Sequence, residues 1–152
     1  MYITTNIDEF KINNIFLHEP VKNIMKTGCE FMKIMYSNSI YVMNGVYLDI
    51  ILNKVEIQKR KEMYKIRIDK VQNKDLLTMI SKIELEILDL LPSDLCRVYS
   101  LDNEYDKSRQ LKNYSELDIQ PGLYNNLTCT LRIFGVWKDA VKCGLNYQYM
   151  IV

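Results

Sequence analysis

A chain of 152 residues is long enough for one domain with a sizeable apolar core, so no disulfide staple or structural metal is required. With 48% apolar and 26% charged residues it is neither a disordered tail nor a collagen, and no stretch reaches the roughly 18 uncharged apolar residues of a membrane helix. Twenty Lys and Arg against nineteen Asp and Glu leave a net charge of +1, which excludes a globally basic nucleic-acid binder and makes any charge argument a local one.

Ala140 is the lone alanine, while β-branched and aromatic residues abound, a balance that favours pleated sheet over helix bundle. Taken in chain order, Met1 to Phe10 has no basic segment leading into an apolar run, so no secretory signal is expected. Phe10 to Leu17 reads as a short strand closed by His18-Glu19-Pro20. Cys29 to Tyr36 and Ile40 to Met43 suggest one or two more, and Asn44-Gly45 is a tight-turn signal. Val46 to Ile57 alternates, with Val46, Leu48, Ile50 and Leu52 on one face and Tyr47, Asp49 and Ile51 on the other. The period breaks near Asn53, which predicts a bulge or bend. Gln58 to Glu62 reads as a charged loop. Met63 to Asp69 alternates again, Tyr64, Ile66 and Ile68 against Lys65, Arg67 and Asp69, as the return strand of a hairpin.

One helix is predicted, from about Lys74 to Leu91. Asn73 is its candidate cap, Leu76, Ile80, Ile83, Ile87 and Leu90 its apolar stripe, and Pro92 its stop. Residues 93–126 form a long polar connection with a late turn at Pro121-Gly122. Leu127 to Trp137 is a strand with Leu127, Cys129, Leu131 and Ile133 on one face and Thr128, Thr130, Arg132 and Phe134 on the other. Lys138 to Gly144 is a loop, and Leu145 to Val152 the last strand. The whole, 1–152, is expected to be a single mainly β domain with one helix, a five-stranded OB-fold-like barrel. An open α+β sheet with one packed helix is the alternative.

Charge is segregated along the chain. Residues 53–74 carry eight Lys or Arg and three acids, a net +5, whereas 84–106 carry seven acids and Arg97, a net −6. Such runs can be solvated faces, or the basic hairpin can track a phosphate backbone. Single-strand binders combine cations with aromatic faces on which bases stack. Tyr47 lies on the outward face of its strand, Phe134 shares a face with Arg132, and Trp137 is nearby, so each is either packing or a stacking surface. The tyrosines of the long connection, Tyr99, Tyr105, Tyr114 and Tyr124, pose the same choice. Tyr64, Tyr147 and Tyr149 alternate with the apolar face and read as core.

No catalytic or metal-binding pattern stands out. Cys29, Cys96, Cys129 and Cys143 form no CxxC pair, and His18 is the one histidine, so no zinc site and no cofactor are expected. Asp102-Asn-Glu104-Tyr-Asp106 alternates acids but lacks the glycine and terminal glutamate of an EF-hand loop. Neither a phosphate-cradling glycine loop nor an HExxH is present. A non-enzyme with reduced thiols in the cytoplasm is the expectation.

The stretch Leu131 to Val152 has a strand ending in Gly-x-Trp, a short polar loop, then Gly-Leu-x-Tyr and a closing strand. It resembles the C-terminal hairpin of small OB-fold single-stranded DNA-binding proteins of cytoplasmic DNA viruses and virus-like linear plasmids of yeast. The likeness covers the last 22 residues and touches Trp137, Gly144, Leu145 and Tyr147. It implies a replication protein that coats displaced single strands without sequence preference. Lys59, Arg60, Lys61, Lys65, Arg67 and Arg132 are then the candidate phosphate contacts, and Tyr47, Phe134 and Trp137 the candidate stacking residues. Replication proteins would be met through the acidic segment 84–106, homo-oligomerisation is compatible, and no membrane is involved. The alternative is a non-catalytic protein–protein interaction or assembly subunit on the same scaffold, using that acidic segment and the exposed tyrosines.

Overall fold

The computed structural model describes residues 3–24, 26–61, 63–101 and 119–151, and the backbone of 109–113. In chain order they form β1 (Thr5–Asn6), β2 (Ile15–Leu17), β3 (Val21–Lys22), β4 (Glu30–Ser37), β5 (Val42–Met43), β6 (Val46–Leu52), β7 (Val55–Arg60), β8 (Met63–Ile68), α1 (Lys74–Leu88), β9 (Cys96–Val98), β10 (Arg109–Asn113), β11 (Gly122–Tyr124), β12 (Leu127–Lys138) and β13 (Lys142–Ile151). The fold is mainly β with one α-helix among the described residues. Its ladders make an open mixed sheet, not a closed barrel, in the order β1-β6-β12-β13-β10-β8-β7-β11.

β12 is the spine of this sheet. One edge pairs with β13 along most of its length. The other edge pairs with β6 from Leu127 to Ile133, then with β4 from Gly135 to Lys138. At the changeover the register to β13 slips. Ile133 faces Tyr147 and Gly135 faces Asn146, so Phe134 is the extra residue of a β-bulge. A bulge shifts the inward–outward alternation by one. Cys129, Leu131 and Ile133 point into the core before it, and Val136 after it. Arg132, Phe134 and Trp137 therefore share the outward face although their sequence spacing is uneven.

β4 is a branch point. Glu30 and Phe31 lie between β3 and β12, while Tyr36 lies between β2 and β5. The core is built from the inward faces of β6, β12 and β13 together with Val55, Ile57, Tyr64 and Ile66 of the β7–β8 hairpin. Leu77, Ile80, Ile83, Ile87 and Leu88 of α1 complete it.

The break expected near Asn53 is a double bend. Leu52 pairs with Leu127 and Val55 with Tyr124, and the two residues between them on each strand leave the ladder. Lys54 (φ 52°) and Asn126 (φ 54°) both adopt left-handed backbone there. For a side chain with a Cβ that conformation costs on the order of 1 kcal/mol, so both bends are held from outside. Asn73 supplies part of the hold. It stands at the helix N-cap position yet makes no capping bond. Its buried amide instead accepts from Asn53 N (2.8 Å) and donates to Asn53 O (2.6 Å) and Asp69 O (2.7 Å).

Several boundaries differ from the sequence reading. Within Phe10 to Leu17, Ile12–Asn14 form a 3-10 turn and only Ile15–Leu17 (β2) are strand, a first 3-10 turn at Ile7–Glu9 lying just before them. Gln58 to Arg60 are strand, not loop, because Arg60 pairs directly with Met63. The connection 93–126 contains β9, β10 and β11. The helix ends at Leu88 because the Arg97 guanidinium donates to the carbonyls of Leu88, Leu91, Pro92 and Leu95, gathering the chain beyond it into a knot. Its buried stripe includes Leu77 and Leu88, while Leu90 is 49% exposed.

Candidate functional site

The outward face of β12 and its neighbours gathers aromatic rings and cations. Arg132 stands directly opposite Tyr47 of β6 and Gln148 of β13. Its guanidinium carbon lies 5.4 Å from the centre of the Tyr47 ring and 4.9 Å from that of Phe134. Two ring faces thus fix the cation by attraction to their π-electrons. One guanidinium nitrogen donates to Asn44 O at 3.4 Å, and Nε is enclosed with no hydrogen-bond partner among the described residues. A guanidinium set over aromatic rings can still donate from its terminal nitrogens.

Phe31 of β4 extends the cluster, its ring centre 6.4 Å from that of Phe134. It pairs across the ladder with Trp137, and Lys33 beside it is exposed opposite Gly135. Lys26 brings its Nζ to 6.0 Å from the Trp137 ring. Sequence reading missed Phe31, Lys33 and Lys26. The alternation Phe31, Lys33, Met35 against Met32, Ile34, Tyr36 was a usable signal, but the neighbour of β4 was not known.

The sheet's polar rim is satisfied locally. Asp49 accepts from Thr4 and Thr130, and Lys138 pairs with Glu30 at 3.7 Å. In the β12–β13 turn the Asp139 carboxylate accepts the N–H groups of Val141 and Lys142, which hold its pKa below the ordinary value. On the core side of β12, burial pushes the Cys129 thiol up to about 12, and Asp49 adds to the shift.

The remaining candidate cations lie elsewhere. Lys59, Arg60 and Lys61 are exposed at the end of the β7–β8 hairpin, and Lys65 and Arg67 are on the outward face of β8. In the sheet order, β8 is separated from β12 by β10 and β13. Here the cations meet local partners: Arg67 pairs with Glu56 at 4.0 Å, Lys54 with Asp69 at 3.6 Å, and Lys59 lies 5.3 Å from the Tyr64 ring. The structure thus brings Arg132, Tyr47, Phe134 and Trp137 onto one face and leaves the five hairpin cations on another part of the sheet.

Burial also sorts the aromatics. Tyr47 is only 7% exposed, with its hydroxyl donating to Asn44, so little of its ring remains for a ligand. Tyr64 and Tyr149 are core as expected, and Tyr147 donates to Ser100 O. Of the acidic segment, Glu84 is buried and accepts from the N–H groups of Ser100 and Leu101, so it is no surface charge. The acidic run Asp102 to Asp106, with Tyr105 and Tyr114, lies outside the described residues. His18 is exposed, and no group of three or more His, Cys, Asp or Glu among the described residues is placed to hold a metal ion. No helix among them is long and apolar enough to cross a membrane.

No family model, curated protein or solved structure matches this chain.

Proposed function

We propose that this protein is a non-catalytic, sequence-independent binder of single-stranded DNA that coats displaced strands in replication. The observation that carries the reading is the Arg132 guanidinium held between the rings of Tyr47 and Phe134, with Phe31 adjoining, on an outward sheet face. Such a face joins a fixed phosphate contact to surfaces on which bases stack. Four free cysteines suit a reducing compartment, here the cytoplasm.

We further propose that the sheet is curled as a partly open OB-like barrel. The register supports this. Leu48 pairs with Leu131, Leu131 with Tyr149, Tyr149 with Leu111, Leu111 with Tyr64, and Tyr64 with Lys59. The path leaves the stretch β6–β7 at Leu48 and re-enters it eleven residues further on. A stagger of that kind is what tilted strands around a barrel require. β10 and β13 are parallel within this ring and the other neighbours antiparallel. Counted around the ring the helix falls between the second and third strands, one place earlier than the expected layout.

The test is a titration of labelled oligo(dT) at rising salt. Binding whose logarithm falls linearly with log salt, at ~0.7 per phosphate neutralised, supports the reading. Absence of binding at low salt would leave the second reading, a protein–protein or assembly subunit. That reading is favoured by exposed Phe16, Val21 and Val42 (57%, 57% and 62%) on the strands flanking β4.

A further inference from the structure

We infer that Phe31 and Trp137 form a two-ring step that takes two neighbouring unpaired bases, with Lys26 and Lys33 at the sugar–phosphate side. This rests on the single-strand reading above and gives it a location and a selectivity. Two glycines carry the inference. A Cβ built on Gly135 would overlap the Cε2 and Cζ atoms of Phe31. A Cβ on Gly144 would fall 2.6–2.7 Å from Cζ2, Cε2 and Nε1 of Trp137. Each ring is therefore seated against the bare backbone of the next strand, Phe31 of β4 at β12 and Trp137 of β12 at β13, in the space a side chain would fill. Both side chains remain partly exposed.

The spacing follows from strand geometry. The two seats are one strand apart, ~4.8 Å, and about two residues apart along the sheet, ~6.7 Å, so the rings are offset by roughly 8 Å. Stacked bases within a duplex strand are ~3.4 Å apart. Bases meeting both rings must be splayed, which an unpaired strand allows and a duplex does not. The nearby charges suit a polyanion. Lys26 and Lys33 are exposed, while Asp139 is engaged by Val141 and Lys142 of its own turn, and Glu30 by Lys138.

Trp137 is the single tryptophan of the chain, so its emission reports on the step directly. The 152-residue chain is titrated with fluorescein-labelled oligo(dT) of about a dozen nucleotides, and with the oligo(dT)–oligo(dA) duplex, reading label anisotropy and tryptophan emission. The expected result is quenching of Trp137 in step with the anisotropy rise, and weaker binding of the duplex. Phe31→Leu should weaken oligo(dT) binding ~5- to 150-fold, with Phe31→Tyr close to wild type. Wild-type binding without change in Trp137 emission, or with Phe31→Leu unaffected, overturns the step and leaves the single-strand reading standing. No anisotropy change for the wild type at 50 mM salt overturns both. The wild-type quenching test decides the matter even where a variant fails to fold.

Discussion

The β12 face and the β7–β8 hairpin both carry cations, yet they use them differently. On β12 the cation is Arg132, wedged between Tyr47 and Phe134 and joined by Phe31 and Trp137. On the hairpin Arg67 leans on Glu56 and Lys54 on Asp69, at a solvated surface where such pairs add little to stability. Charge density along the sequence therefore pointed to the hairpin, where one cation, Lys59, meets one ring, while the cation shared by two rings is built on β12. A local excess of lysine marks a solvated edge as readily as a binding site. A cation fixed on aromatic faces is a more specific arrangement, since its geometry is set before any ligand arrives.

The largest effect expected is on stability. Tyr47→Ala removes a 7% exposed ring from beneath Arg132 and should cost about 3 kcal/mol in urea unfolding, with Tm falling accordingly. Lys61→Ala on the exposed hairpin should leave Tm unchanged. A Tyr47→Ala protein of wild-type Tm with reduced DNA affinity would instead make Tyr47 a ligand contact. Next, Asn73→Ala should lose about 2 kcal/mol, because the Asn53 N–H and C=O are left without their partner at the bend. The folded fraction should bind oligonucleotide as wild type does.

On binding, Arg132→Gln should reduce oligo(dT) affinity about tenfold, as for loss of one charged hydrogen-bond donor. The double reversal Lys65→Glu with Arg67→Glu should reduce it less than about threefold, with a salt slope lowered by under ~0.7. The reverse ranking, measured by anisotropy, would return the site to the hairpin.

The smallest effect separates the two regions by acid titration. Asp69 beside the hairpin is held below the ordinary 3.8 by the Gln72 N–H first and by Lys54, and Asp139 by the N–H groups of Val141 and Lys142. A lowered folded-state value means that each carboxylate's contribution is full above the ordinary value and is lost as pH falls through the folded one. Carboxyl NMR should show both titrating below the ordinary aspartate value, and Lys54→Met should raise Asp69 but not Asp139.

Strand alternation made much of this legible. Val46 to Leu52, Met63 to Ile68 and Leu127 to Ile133 keep their inward residues as read, since a period of two leaves one face for the core. The break at Asn53 was equally visible. What alternation could not reveal is which strands become neighbours. Phe31 joined the site because β12 exchanges β6 for β4 at a bulge, and nothing local to Phe31 encodes that exchange. Asn73 read as a helix cap from its position, yet Asn53, twenty residues earlier, claimed its side chain. Glu84 read as part of an acidic surface, but the backbone of Ser100 and Leu101 folded over it.

By itself the sequence determined a mainly β chain with one helix, the inward residues of its long strands and the candidate ring and cation types. These follow from periodicity and side-chain chemistry, which act within a few residues. Tertiary structure decided the strand order, the bulge at Phe134, the bending of both strands at Lys54 and Asn126, and the separation of Arg132 from the basic hairpin. Those depend on pairings between distant segments, whose energies exist only once the strands have met.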